Sequence, residues 1–139
     1  METAERKAAC LIGLRVFIVE DEPMLALCLG EVLEDEGCLV VGTASTVSEA
    51  LEAVATAIFD VAILDLNLHG KPVDLIAAAI VRGGRGLVFS TGSQASACPT
   101  GFHGWPVLHK PYRDEAMLAA LRSAIDVTAI AKGSRSPKL

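Results

Sequence analysis

The run Val61-Ala62-Ile63-Leu64-Asp65 constrains the fold more than any other stretch of the chain. Four apolar residues, Val61 and Ile63 among them β-branched, lead straight into a carboxylate, and Leu66-Asn67-Leu68-His69-Gly70 follows. A strand with no polar alternation has both faces covered, which is the property of parallel sheets flanked by helices. In such open α/β sheets, ligands bind at the carboxyl ends of the strands. Asp65 alone is open to two readings, a ligand-site carboxylate or a residue that turns the chain at a strand end. The rest of the chain decides between them.

Leu14 to Val19 gives a first strand that ends at Glu20-Asp21-Glu22-Pro23. Pro23 suits the first position of a helix, where a missing amide hydrogen costs nothing. Leu25, Leu29, Val32 and Leu33 follow at helical spacing, Cys28 falls inside the same pattern as a small buried residue, and Gly37 supplies the stop. Leu39 to Ala44 is a second strand, and Thr46 with Glu49 three residues on marks a capped helix carrying Ala50, Leu51, Val54 and Ala55. After the Asp65 strand, a helix is expected from Val73 to about Arg82, closed by Gly83-Gly84. Gly86 to Thr91 and Pro106 to His109 read as the fourth and fifth strands. A last helix opens near Asp114 and carries Met117, Leu118, Leu121, Ile125 and Ile130. The slot from Ser93 to Trp105 holds two Gly, a Pro and several hydroxyl residues without apolar periodicity, so the fourth helix is expected to be short, irregular or mobile.

Strands that alternate with helices imply right-handed crossovers and one parallel sheet. The expected class is therefore α/β, a doubly wound five-stranded (βα)5 domain over residues 14–131, with tails at 1–13 and 132–139. Over half of the residues are apolar but few are aromatic, which fits small and branched side chains packed between sheet and helix. The net charge of -5 argues against a DNA binder, and no basic recognition helix is present. The longest apolar run, Leu75 to Val81, is far short of the roughly 20 residues a bilayer requires. Cys10, Cys28, Cys38 and Cys98 form no metal-like or paired spacing, and no leader pattern opens the chain, so a cytoplasmic protein is expected.

Glu20 and Asp21, Asp65, Thr91 and Lys110 each stand at the carboxyl end of a predicted strand, and a doubly wound sheet gathers those ends at one edge. Three crowded carboxylates repel one another unless a cation lies among them, and Mg²⁺ prefers a few carboxylates plus water. Lys110 adds a fixed positive charge and Thr91 a hydroxyl donor. Such a set describes an aspartate that accepts a phosphoryl group. Each member has a bland reading alone: helix-start acids, a loop hydroxyl, a solvated lysine. Their order and spacing together favour the phosphoacceptor reading. His69, His103 and His109 are given no direct catalytic part; His69 stands where it would meet the rim of the site, and His109 is expected to face away.

On these residues the chain, from about Leu14 to Ile130, resembles the receiver domains of bacterial two-component response regulators, of the stand-alone, chemotaxis-regulator-like kind. Glu20-Asp21-Glu22-Pro23 is similar to the family's acidic pair, Ile63-Leu64-Asp65-Leu66-Asn67-Leu68 to its phosphoacceptor segment, and Thr91-Gly92 and Lys110-Pro111 to its hydroxyl and lysine motifs. Phe89-Ser90-Thr91-Gly92, together with Pro106-Val107-Leu108-His109-Lys110-Pro111-Tyr112, is similar to an alphaproteobacterial subgroup marked by Phe-Ala-Thr-Gly, with Ser90 in place of Ala. The resemblance implies a flavodoxin-like fold and Mg²⁺ held by Asp21, Asp65 and the backbone carbonyl of Asn67, with Glu20 acting mainly through water. It also implies a sensor histidine kinase or phosphotransfer protein as donor and a downstream protein as target, reached through the last helix, the fifth strand and the region between strands four and five. One position departs from the family: Val107 stands where many receivers carry an aromatic switch residue. Phosphorylation is expected instead to order the Ser93–Trp105 segment.

No output domain fits after the last helix, so output is expected through protein contact, by passing the phosphoryl group onward or by draining it from another regulator, and a homodimer is among the expected assemblies. Two other functions are weighed. An aspartyl-nucleophile phosphatase normally has a second acid two residues after the nucleophile, where this chain has Asn67, and it also has a substrate cap. A receiver-like scaffold that signals without phosphate is disfavoured by the complete acidic pocket.

Overall fold

The computed structural model describes residues 11–92 and 98–134. In chain order the elements are β1 (Arg15–Val19), α1 (Pro23–Asp35), β2 (Leu39–Ala44), α2 (Val47–Thr56), β3 (Val61–Asp65), α3 (Asp74–Arg82), β4 (Gly86–Thr91), β5 (Val107–His109) and α4 (Asp114–Ser134). The strands form one parallel sheet in the order β2-β1-β3-β4-β5. This is the flavodoxin-like arrangement expected, with four helices among the described residues.

Local chemistry explains the boundaries. Pro23 opens α1. The Thr46 hydroxyl oxygen accepts the Glu49 amide at 3.1 Å, and the Glu49 carboxylate accepts the amide of Ser45, one residue before the cap, at 2.9 Å. At the other end of the sheet, Arg15 grips Asp60 through its main chain, Nε and a terminal nitrogen, joining β1 to the start of β3.

β3 and β4 are buried at every position, as central strands covered on both faces must be. Alternate side chains feed two cores. Val16, Ile18, Ile63 and Val88 pack with Leu29 and Leu33 of α1 and Met117 and Leu121 of α4. Phe17, Val19, Leu64, Leu87 and Phe89 pack with Val54 of α2 and Ile76 and Ile80 of α3. Each fully buried Leu or Ile contributes about 1.5–3 kcal/mol.

Four expectations need correction. Leu25 and Cys28 are exposed, because the buried stripe of α1 runs through Ala26, Leu29 and Leu33 and leaves both on its flank. There Leu25 and Cys28 border a cavity of about 460 Å³ with Pro111, Tyr112 and Met117. Leu11, expected in a tail, is 1% exposed and joins the core with Leu33 and Cys38. The last helix runs through Gly133 to Ser134, where a polar tail was expected. The irregular region between β4 and β5 falls partly on residues 93–97, outside the described residues. Its described remainder is turns, closed by bonds from Phe102 to Pro99 and from Trp105 to Phe102. Phe102 and Trp105 pack as core residues, Phe102 edge-on to Phe89.

β2 carries one extra residue against β1: Val16 pairs with Val40 but Phe17 with Gly42, so Val41 is bulged. Gly42 lies against the Phe17 ring, and a Cβ there would stand 2.9 Å from Phe17 Cε1. Phe17 is in turn fixed against Phe59 at 5.5 Å between ring centroids. Gly42→Ala is therefore expected to destabilise the fold by about 1–3 kcal/mol through overpacking. Urea unfolding measures the loss, and Phe17→Leu in the same chain should recover part of it; an unchanged midpoint in Gly42→Ala alone would refute the clash.

Candidate functional site

Sheet register brings the acidic residues together. Val19 pairs with Leu64, so Glu20 and Asp65, one step further along, leave the sheet side by side. Asp65 pairs with Ser90 and Thr91 with His109, which puts Thr91 and then Lys110 on the same edge across β4 and β5. Strands of matched register thus carry four sequence-distant residues to one crevice, at the point where the strand order reverses between β1 and β3.

At that edge Lys110 Nζ donates to Glu20 Oε1 at 2.9 Å and to Asp65 Oδ2 at 3.3 Å. Both carboxylates are nearly sealed, with side-chain exposures of 5% and 4%. Asp65 Oδ1 accepts the amide of Asn67 at 2.9 Å, so both oxygens of this carboxylate are held. Asp21, on the more open side, accepts the amide of His69 at 3.0 Å through Oδ2. Ligand oxygens of Glu20, Asp21 and Asp65 lie within 4.8 Å of one another. Three carboxylates so close and one ammonium leave a net negative pocket, which fits a hard divalent cation with oxygen ligands.

The charges respond accordingly. Burial pushes the Glu20 carboxyl above its ordinary range; the Lys110 hydrogen bond opposes that shift and the nearby Asp65 charge reinforces it. For Lys110 burial works against the charge, but the pairs with Glu20 and Asp65 outweigh it and the ammonium is held more firmly than usual.

The remaining predicted residues are placed as follows. Thr91 is buried at the end of β4, and its carbonyl accepts the Lys110 amide at 2.7 Å. Asn67 spends its side chain within the loop, accepting from the Gly70 amide at 3.1 Å. Val107 is half-buried against the Phe89 core, and no aromatic ring occupies that position. His103 and His109 are exposed. One feature escaped the sequence reading: the His69 amide anchors Asp21, a main-chain contact that no side-chain pattern announces. Tyr112, two residues after the lysine in the motif that the sequence presents, lines the cavity beside Lys110, with its phenol pushed up chiefly by burial.

Comparison with known proteins agrees with this geometry. The response regulator receiver domain family matches residues 16–74. No curated protein matches the chain. Among solved structures, that of SdrG from Sphingomonas melonis Fr1 is 34% identical with a TM-score of 0.73, covering 83% of this chain and 98% of SdrG. The PhyR receiver domain of Erythrobacter litoralis is 22% identical with a TM-score of 0.66, covering 94% of this chain and 98% of that domain. PhyR from Brucella abortus is 22% identical with a TM-score of 0.76 over 95% of this chain, which spans 56% of that longer protein. The two PhyR likenesses bear on the fold alone. Among the described residues no helix is long and apolar enough to cross a membrane. The family match over β1 to β3 and a relative 34% identical over nearly its whole length lead to one assignment: this chain belongs to the response regulator receiver domain family.

Proposed function

We propose that the chain is a phosphorylation switch in which Asp65 accepts a phosphoryl group, with Glu20, Asp21, Asp65 and the Asn67 carbonyl holding Mg²⁺ and Lys110 and Thr91 serving the transferred group. The observation that carries this reading is the buried Lys110 bridge between Glu20 and Asp65, an arrangement too costly in desolvation to serve as a mere strand-end cap. The donor is a sensor histidine kinase or phosphotransfer protein, the readout is contact with a further protein or onward transfer, and the setting is cytoplasmic.

In the transfer, an Asp65 carboxylate oxygen attacks the phosphorus of a phosphohistidine. The new P–O bond forms as the P–N bond to the donor breaks, and the bonding pair leaves with the imidazole nitrogen. The Asn67 amide keeps Asp65 from rotating away. Lys110 exchanges its 3.3 Å contact with Asp65 for a phosphoryl oxygen while keeping the shorter one to Glu20. Thr91, at the end of β4, offers its hydroxyl to another phosphoryl oxygen. A bound Mg²⁺ supplies charge neutralisation for the phosphoryl oxygens. Because Lys110 is tied by its amide to the Thr91 carbonyl, a change at the phosphoryl site reaches β4 and β5 together.

Intact-mass analysis after incubation with acetyl phosphate tests the reading. A phosphoryl adduct is expected on the wild type with Mg²⁺, and none on Asp65→Asn or without metal. Lys110→Ala should lower the adduct yield at least about tenfold. A wild type that takes no adduct with Mg²⁺ would return the chain to a phosphate-independent scaffold.

The raised Glu20 carboxyl gives a pH signature in the metal-free protein. Its folded pKa lies above its unfolded one, so its contribution to stability is full at acid pH and is lost as pH rises through the folded value. Glu20→Gln keeps an acceptor for Lys110 without the charge. In urea unfolding the variant should therefore exceed the wild type most on the alkaline side of the folded Glu20 value and converge with it at pH below the ordinary carboxylate range. A pH-independent difference would show that the ionised Glu20 carries no penalty.

A further inference from the structure

Ser90 stands in the same row as the site residues but takes no part in their bonds. Across the sheet Asp65 pairs with Ser90 and Ser90 with Leu108. Along β4, Ser90 falls on the same face as Val88, the face packed by α1 and α4. Ser90 is 1% exposed, and among the described residues its Oγ is the one buried side-chain polar atom with no hydrogen-bond partner. A buried hydroxyl left in that condition is costly, and folded proteins keep few of them.

Tyr112 lies on that side of the sheet, half-buried against the core that holds Leu108, Met117 and Leu121. Among the described residues it is the one aromatic side chain bordering the cavity of about 460 Å³ between α1 and the start of α4. Burial pushes its phenol up, and a hydrogen-bonding influence from Ser90 works against that push, so the two hydroxyls stand within reach of each other. No closed bond joins them, since Ser90 Oγ is unpartnered. The ring therefore has open space along one side and an unanswered hydroxyl nearby. Both residues are also wired to the site through the main chain: Ser90 precedes Thr91, whose carbonyl accepts the Lys110 amide at 2.7 Å, and Tyr112 follows two residues after Lys110.

We propose that Tyr112 is a two-position gate on this cavity: with Asp65 unmodified the ring borders the cavity, and with Asp65 phosphorylated the phenol closes onto Ser90 Oγ and the ring withdraws from the α1 side. The inference rests on the proposed phosphorylation of Asp65 and names the element which that event regulates. The coupling is short. Lys110, on exchanging Asp65 for a phosphoryl oxygen, moves the segment that carries Tyr112, and Thr91, on reaching another, moves the residue next to Ser90. Either shift changes the separation of the two hydroxyls, and closing their bond removes the cost of the unpartnered one. That bond favours the phosphorylated arrangement alone, which is the differential interaction a switch requires.

The chain has one tyrosine, so ring-¹³C tyrosine labelling of the full chain gives a single set of ring signals to follow by NMR. With Mg²⁺ and acetyl phosphate the Tyr112 signals should shift. In Ser90→Ala at least about half of that shift should be lost, while the phosphoryl adduct measured by intact mass stays within about twofold. In the unmodified chain Ser90→Ala should leave the urea midpoint unchanged or raise it, because the hydroxyl removed there bonds nothing. A lowered midpoint would mean that the bond is already closed, and it overturns the gate. So does a Tyr112 shift of full size in Ser90→Ala, or a wild type that carries the adduct while its Tyr112 signals stay still. Loss of the adduct in Ser90→Ala overturns it too, since Ser90 would then serve the phosphoryl group rather than the ring. A wild type that takes no adduct removes the phosphoacceptor reading and the gate together, whereas the other failures leave that reading standing.

Discussion

The Lys110 ammonium, set between Glu20 and Asp65, is the interaction on which the rest of this edge depends. Two carboxylates almost shut off from water repel strongly in a low dielectric, and without a cation one of them would protonate or the strand ends would part. The lysine is supplied from the residue after β5, the edge strand, so the outermost element of the sheet holds the centre together. The position is exact because Lys110 is tied to β4 through the Thr91 carbonyl, while β4 is locked to β3 along its whole length.

Lys110 serves the two inner carboxylates and the His69 amide serves the outer one. The Lys110 main chain is bonded to the Thr91 carbonyl, which joins the lysine to both β4 and β5. A receiver without an aromatic at position 107 therefore still has a mechanical link from the site to its fifth strand.

Much of the fold was legible because it rests on short-range rules. The fully apolar Val61–Leu64 run could only be a doubly covered strand, and Thr46 with Glu49 marked a helix start to the residue. The acidic residues and Lys110 were legible as a set because parallel topology converts strand-end positions into neighbours. What was not legible depends on rotation and on main-chain geometry. Leu25 and Cys28 are one helical step from the buried stripe, and composition cannot say which neighbour falls inside. Leu11 is buried because the chain before β1 folds back, tied by the Gly13 amide to the Gly37 carbonyl, and no periodicity signals a single anchoring residue. The contact from His69 to Asp21 is made by an amide common to every residue type, fixed by a turn whose sign is invisible in the sequence.

The bulge at Val41 has a consequence for the company this molecule keeps. β2 is an outer strand with Leu39 and Val41 both exposed, a profile that invites pairing with the edge of another molecule. The extra residue interrupts the even spacing of main-chain donors and acceptors, so a foreign strand finds matching groups over only a few residues before falling out of phase. The sheet is thereby closed to growth on that side, and an edge that carries two exposed apolar side chains is kept from becoming a seam of lasting strand pairing.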